Sequence, residues 1–285
     1  MLTEIFKKPK PIIGKIQLLA LPGAPGWDGQ WDILTARAEQ EATALATSGV
    51  DGLIIENFHD VPYTQGHMDT AGAIAMAMLT RRLKQFTGLP IGISVLRNDP
   101  ETALAIAINT QADFIRLSVL IGSLITDSGV TNSRFNELLH YRNRLKSVLP
   151  PLLVDVSMRH LGPIVHTQAQ SKLHYLTETA RALPRHQEKI VLIVSDEDIE
   201  PEEILTLRNN TQWEVLLENR TRPQAVDSYF EQASGLILDA DIRRNSALQP
   251  DTLPTVDMTR AEELVNRLRK VVPVTEMDPD IFLRR

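Results

Sequence analysis

Eight near-continuous apolar runs punctuate this chain, and each hands over to a segment that carries helical start or stop signals. The runs are IIGKIQL from Ile12, GLIIE from Gly52, IGISVL from Ile91, FIRLSVL from Phe114, LLVDV from Leu152, IVLIV from Ile190, EVLL from Glu214 and GLIL from Gly235. A half-exposed strand alternates apolar and polar residues. Runs that stay apolar instead suit parallel strands covered on both faces. Between them, Asp99 precedes Pro100 as a capping carboxylate before a first-turn proline. Leu34, Ala38, Ala42 and Leu45 share one helix face, with Gly49 just beyond its end. Pro201 and Pro223 stand at further first turns, and Thr259 with Glu262 has capping-box spacing.

Eight strand–helix repeats in 285 residues predict a single (β/α)8 TIM barrel over 1–285, with a short basic N-terminal segment and a C-terminal tail over 273–285. The competing open, doubly wound sheet loses its main support, because no Gly-x-Gly-x-x-Gly follows the first strand. No low-complexity linker marks a domain boundary.

Thirty Lys and Arg stand against 36 Asp and Glu, a net charge of −6, so nucleic acid is not an expected partner. With no cysteine there is no disulfide, thiolate zinc site or cysteine nucleophile. No His-Glu-x-x-His spacing suggests a metal, and no cofactor is expected. Ala71–Thr80 is the longest apolar stretch of note, about half of the roughly 20 residues that span a bilayer, and reads as a core helix. The chain is therefore expected to be cytoplasmic, with membrane contact at most peripheral. Lys7, Lys8 and Lys10, after Ile5-Phe6, are the candidate contact with an anionic surface, or else a solvated terminus.

TIM barrels place their chemistry at the C-terminal ends of the strands. Here those ends supply Glu56 and Asn57, Arg97 and Asn98, Arg116, Asp127 in the long loop after the fourth strand, and Asp155 with His160 after the fifth. These are the ligand-binding candidates. No catalytic residue stands out among them. The same residues fit a structural ion-pair network that closes the barrel top. Arg97, at the end of a buried run, calls for a carboxylate partner; Glu56 on the adjacent strand is nearer than Asp155 across the mouth.

The stretches KPKPIIGKIQLLALPGAPGW, SGVDGLIIENFHDVPY, PIGISVLRNDPETALAIA, ADFIRLSVLIGSLITDSGV and ELLHYR together resemble the BtpA family over about Pro11 to Pro163, with a weaker likeness beyond. That resemblance implies a barrel of the phosphate-binding type. Cyanobacterial members are associated with photosystem I biogenesis, as extrinsic proteins on the cytoplasmic face of the thylakoid. It implies photosystem I proteins or assembly factors as partners, and no particular reaction. Self-association into a homo-oligomer is expected. The alternative is a small-molecule enzyme or binding protein that takes a polar ligand at the mouth.

The second half departs from the family pattern. VSDEDIEPEE, LENRTRP and LDADIRRN stand where the resemblance implies glycine-containing loops. Glycine lets backbone approach a phosphate closely. Glu218, Asp239 and Asp241 would oppose the anion, whereas Arg220, Arg222, Arg243 and Arg244 could recruit it by side chain. The expectation is an eroded phosphate site and a barrel without catalysis.

Overall fold

All eight apolar runs are strands of one closed parallel barrel in the computed structural model, which describes residues 1–156, 189–195, 199–219, 225–244 and 253–271, together with Leu173, Thr177, Glu178, Ala180 and Arg181. The strands are β1 Ile12–Gln17, β2 Gly52–Glu56, β3 Ile91–Ser94, β4 Phe114–Leu117, β5 Leu152–Asp155, β6 Ile190–Ser195, β7 Val215–Asn219 and β8 Gly235–Leu238. They follow one another in sequence order around the barrel, and β8 closes on β1 through the register Ile13 with Ile237. The described helices are α1 Leu2–Phe6, α2 Trp31–Thr47, α3 Thr70–Thr87, α4 Pro100–Thr110, α5 Phe135–Leu145, α6 Pro201–Thr211, α7 Val226–Gln232 and α8 Met258–Val271.

Because each strand is covered on both faces, its side chains serve two cores. Outward residues such as Ile12, Ile16, Leu53, Ile55 and Leu192 pack against Leu34, Leu45, Leu79, Leu104 and Leu207 of the helices. Inward residues form a second cluster of Ile13, Ile54, Phe114, Leu153, Val191, Ile193, Leu216 and Ile237. Leu2 and Phe6 of α1 belong to this inner cluster and plug the barrel from below, with the Phe6 ring edge-on to Phe114 at 5.5 Å. Gly92 makes the room for Phe114, since a Cβ there would lie 1.9 Å from the ring.

The plug changes the reading of the N-terminal segment. Phe6 is buried in the barrel floor. Lys7 donates to the Glu4 carbonyl at 2.7 Å, Lys8 pairs with Asp51 at 2.9 Å, and Lys10 donates to the Glu231 carbonyl at 2.9 Å. Phe6 is thus not offered to a membrane in this fold. Among the described residues, no helix is long and apolar enough to cross one. Ala71–Thr80 lies in α3, whose Ala75, Met76 and Leu79 face the barrel.

Asp99 caps α4 by accepting from the Thr102 amide at 3.2 Å, and Glu200 with Glu203 forms a reciprocal cap ahead of Pro201. At α8 the expected Thr259–Glu262 box is displaced. Asp257 comes first, ending the short strand Thr255–Val256, and its carboxylate takes the Thr259 and Arg260 amides at 3.0 and 3.3 Å. The loop after β4 is also more ordered than expected. Ser123–Thr126 and Gly129–Asn132 form an antiparallel hairpin. Pro223 and the tail over 273–285 lie outside the described residues.

Candidate functional site at the barrel mouth

Alternation carries the inner face of six of the eight strands from apolar to charged within two residues. Ile13 is followed by Lys15 and Gln17, Ile54 by Glu56, Phe114 by Arg116, Leu153 by Asp155, Leu216 by Glu218 and Ile237 by Asp239. The period of two places this second set one layer above the apolar cluster, at the C-terminal end of the barrel. There the charges are wired together. The Lys15 ammonium contacts Asp239 at 2.7 Å, Glu218 at 2.9 Å and Glu56 at 3.5 Å. Arg116 bridges Asp155 at 3.0 Å and both oxygens of Glu218 at 2.9 and 3.0 Å. Ser94 donates to Glu56 at 3.0 Å and Gln17 to Asp239 at 2.9 Å. Beside the cluster, Arg243 donates to both oxygens of Glu41 at 2.8 and 3.0 Å and to the Lys15 carbonyl at 2.7 Å.

Every side chain of this cluster is nearly water-free; Lys15 is 1% exposed and Arg116 6%. Burial alone would neutralise Lys15, but Asp239, Glu218 and Glu56 outweigh it and hold the amine above its ordinary range. Arg116 is held charged in the same way, against burial, by Asp155, Glu218 and Glu56. Burial pushes Glu56 up, yet Lys15 and Arg116 prevail and keep it below the ordinary glutamate range. Two cations, Lys15 and Arg116, thus meet four carboxylates, Glu56, Asp155, Glu218 and Asp239, and Arg243 adds a longer ion pair to Asp239 at 3.7 Å. A protonated Lys15 is a fixed charge, not a free amine nucleophile. The chemistry on offer is a pre-arranged, polar, water-poor floor.

Above this floor sits a second group of residues that braces loops. Asn57 donates to Asp60 at 2.9 Å and accepts from the Leu96 amide at 2.7 Å. Asn98 donates to the carbonyls of Val119 and Asn132 at 2.9 and 3.1 Å, and accepts from the Val119 amide at 3.0 Å. It does so from a backbone φ of 97°, a region where Asn is enriched among non-glycine residues. Arg97 grips Asp127 at the hairpin tip through two bonds of 2.9 and 2.8 Å, and its guanidinium lies 4.4 Å from the centre of the Tyr63 ring. Gln65 also donates to the Ser128 carbonyl. Burial raises the Tyr63 phenol, whose proton is donated to the Phe58 carbonyl at 2.6 Å. His59 is held below its ordinary range by burial, with Arg243 and Arg37 adding to the effect.

The sequence-derived candidates therefore divide. Glu56, Arg116 and Asp155 share the buried cluster. Asn57, Arg97, Asn98 and Asp127 form the loop braces above it. His160 lies outside the described residues. The expected partner of Arg97 was wrong: neither Glu56 nor Asp155 meets it, because Glu56 is level with Ser94 in the β2–β3 register, and three more residues carry Arg97 above the barrel rim. Glu56 pairs instead with Lys15, the one charged residue inside IIGKIQL. Its signal was available, since a lone lysine in a strand buried on both faces requires carboxylates. Among the described residues, no group of three or more His, Asp or Glu is arranged to hold a metal ion.

The BtpA family model matches residues 8–270. This chain belongs to the BtpA family. The match carries the family likeness well beyond Pro163, through the diverged second half. The photosystem I biogenesis protein BtpA of Synechocystis is 44% identical over 163 residues, a match spanning 57% of this chain and 56% of that relative. An uncharacterised protein of Pyrococcus horikoshii is 29% identical over 268 residues, spanning 92% of this chain and 97% of its own length. Among solved structures, the spore coat polysaccharide biosynthesis protein of Bacillus subtilis superposes with a TM-score of 0.58 at 16% identity, over 94% of this chain and 70% of that one. Orotidine 5'-phosphate decarboxylase of Pyrococcus horikoshii superposes with a TM-score of 0.53 at 15% identity, over 90% and 99%. At such identities the likeness concerns the fold alone.

Proposed function

We propose that this BtpA-family barrel serves photosystem I biogenesis, contacting photosystem I proteins or their assembly factors at the thylakoid surface without catalysing a reaction. The 44% identity to the Synechocystis biogenesis protein carries this reading. The test is complementation. A Synechocystis strain lacking its own BtpA would express this chain, and P700 absorbance would report photosystem I content. Recovery supports the role; stable accumulation of the chain without recovery ends it. Fractionation of the same cells adds the location, since a peripheral protein leaves the thylakoid in a salt wash.

A second reading is favoured by the buried cluster itself. A barrel interior is ordinarily filled by branched apolar residues, and replacing a buried ion network by apolar packing is often neutral or stabilising. Retention of six charged side chains at the end where barrels bind ligands favours a polar small molecule at the mouth. The family's presence in archaea, as in the Pyrococcus relative, also favours a role separable from photosynthesis. Native mass spectrometry of purified protein should then show a copurifying small molecule that Glu218→Gln releases. An unliganded mass in both proteins counts against this reading.

A further inference from the structure

The network at the mouth leaves hydrogen-bonding capacity unused on one side, where β8 closes on β1. Arg243 follows β8 in a two-residue strand paired with Thr255–Val256. Its terminal nitrogens are committed to Glu41 and to the Lys15 carbonyl, but its Nε–H is buried and has no hydrogen-bond partner. Asp239 Oδ1 stands 3.7 Å from that nitrogen, an ion pair too long for a hydrogen bond. The Arg243 side chain is 6% exposed, so the donor is cut off from bulk water. A buried charged donor left unpaired is costly, and such a group calls for an explanation.

Two further groups share this corner. Gln17, at the end of β1, donates to the same Asp239 oxygen at 2.9 Å, and among the described residues nothing donates to the Gln17 side-chain oxygen. The His59 ring is half-buried and makes no hydrogen bond to a described residue. Arg243 and Glu56 are among the charges that act on it, which sets it on this side of the mouth. Burial first, then Arg243 and Arg37, hold the imidazole below its ordinary range, so it is neutral near pH 7 and offers an acceptor without a charge.

The charges around the gap are already balanced. Arg243 answers Glu41 at 2.8 Å, and Lys15 answers Asp239 at 2.7 Å. What is left is one N–H donor on Arg243 beside acceptors on Asp239, Gln17 and His59. A carboxylate or phosphate would accept from Arg243 but sit against Asp239 as a like charge. It would also find a single N–H where an anion is best held by two. An ammonium would donate to Asp239 but could not accept from Arg243. A hydroxyl does both.

We propose that this side of the mouth binds a neutral polyol, with one hydroxyl accepting from the Arg243 Nε–H and donating to Asp239 Oδ1, and flanking hydroxyls donating to Gln17 and His59. This names a ligand class for the small-molecule reading of the mouth and rests on that reading.

Erythritol is the probe. Erythronate, which carries a carboxylate, and serinol, which carries an ammonium, are the charged comparisons. Saturation-transfer difference NMR on the full chain near neutral pH should show erythritol saturating with a dissociation constant on the order of 1 mM, and the charged probes binding at least tenfold more weakly. Arg243→Lys keeps a cation beside Glu41 but removes the Nε–H, and should weaken erythritol about tenfold. Gln17→Leu and His59→Phe should each weaken it by at least threefold. Should Arg243→Lys or Gln17→Leu lower the melting temperature, His59→Phe carries the test, because the ring it replaces makes no hydrogen bond. Erythritol binding that all three variants leave unchanged overturns the site, and the Arg243 donor then holds only a buried water. Erythronate or serinol binding more tightly than erythritol, with loss in the same variants, overturns the polyol class and leaves a small-molecule mouth standing. No saturation by erythritol also overturns the proposal, and native mass spectrometry then separates the cases: a copurifying molecule that Glu218→Gln releases keeps the small-molecule reading, and an unliganded mass ends both.

Discussion

Replacing Lys15 by methionine tests the buried cluster most directly. Methionine approximates the lysine stem but removes the ammonium, and so leaves Glu56, Glu218 and Asp239 without the cation that touches all three. Arg116 still compensates Glu218, whereas Asp239 keeps only the neutral Gln17 amide and the longer ion pair to the Arg243 Nε at 3.7 Å. Breaking a buried pair by removing one partner costs about 3–5 kcal/mol. With an unfolding entropy of about 2.1 cal/mol/K per residue, 285 residues give roughly 0.6 kcal/mol/K, so the melting temperature should fall by about 5–8 °C. The pH dependence supplies a second check. Burial pushes the Glu56 carboxyl up and Lys15 is the largest cause that opposes it, so without Lys15 the Glu56 pKa in the folded state moves upward. The folded variant then takes up protons, and its deficit relative to the parent should shrink as pH falls from 8 toward 5. Differential scanning calorimetry of both proteins across that range measures each quantity. A deficit under about 1 kcal/mol, or one that does not change with pH, would show that water screens the cluster and refute the burial argument.

Three further outcomes are expected. Arg97→Ala should cost only about 1 kcal/mol or less, because Arg97 and Asp127 are 23% and 50% exposed and solvent screens the pair; a loss near 4 kcal/mol in urea unfolding would contradict the assignment. Asn98→Ala should cost about 3 kcal/mol in the same assay, since it strands the buried Val119 amide and keeps a positive φ with a side chain that cannot offset it. Inorganic phosphate should give no saturable heat at micromolar concentrations, because Arg243 is already committed to Glu41 and the Lys15 carbonyl; tight binding abolished by Arg243→Ala would show otherwise.

The fold was legible because a parallel strand buried on both faces has little choice but to be apolar throughout, and eight such runs admit few architectures. The same property hid the site. Reading IIGKIQL as one buried run absorbs Lys15 into the core, whereas splitting it by period two exposes Ile13, Lys15 and Gln17 as one inward column. Its carboxylate partners lie far along the chain, at Glu218 and Asp239, so no local spacing could reveal them. Arg116 with Asp155 was within reach of sequence reasoning, as both sit at neighbouring strand ends. The partner of Arg97 is hidden from sequence reasoning because Asp127 stands at the tip of a hairpin whose strands, Ser123–Thr126 and Gly129–Asn132, are too short to stand out from a loop.

The acids that first looked like the mark of an eroded phosphate site acquire a different meaning in this setting. Glu218 joins Lys15 on β1 to Arg116 on β4, and so links cations from opposite sides of the barrel through one carboxylate. Asp239 extends the same network across the seam where β8 closes on β1. A phosphate cradle needs open backbone and a positive field at the ends of β7 and β8. A carboxylate that balances two buried cations needs that space filled and negative. The two cannot occupy one place. Glu218 and Asp239 are thus the counter-charges that Lys15 and Arg116 require once those cations are inside the barrel, and the expected absence of tight phosphate binding rests on that pairing.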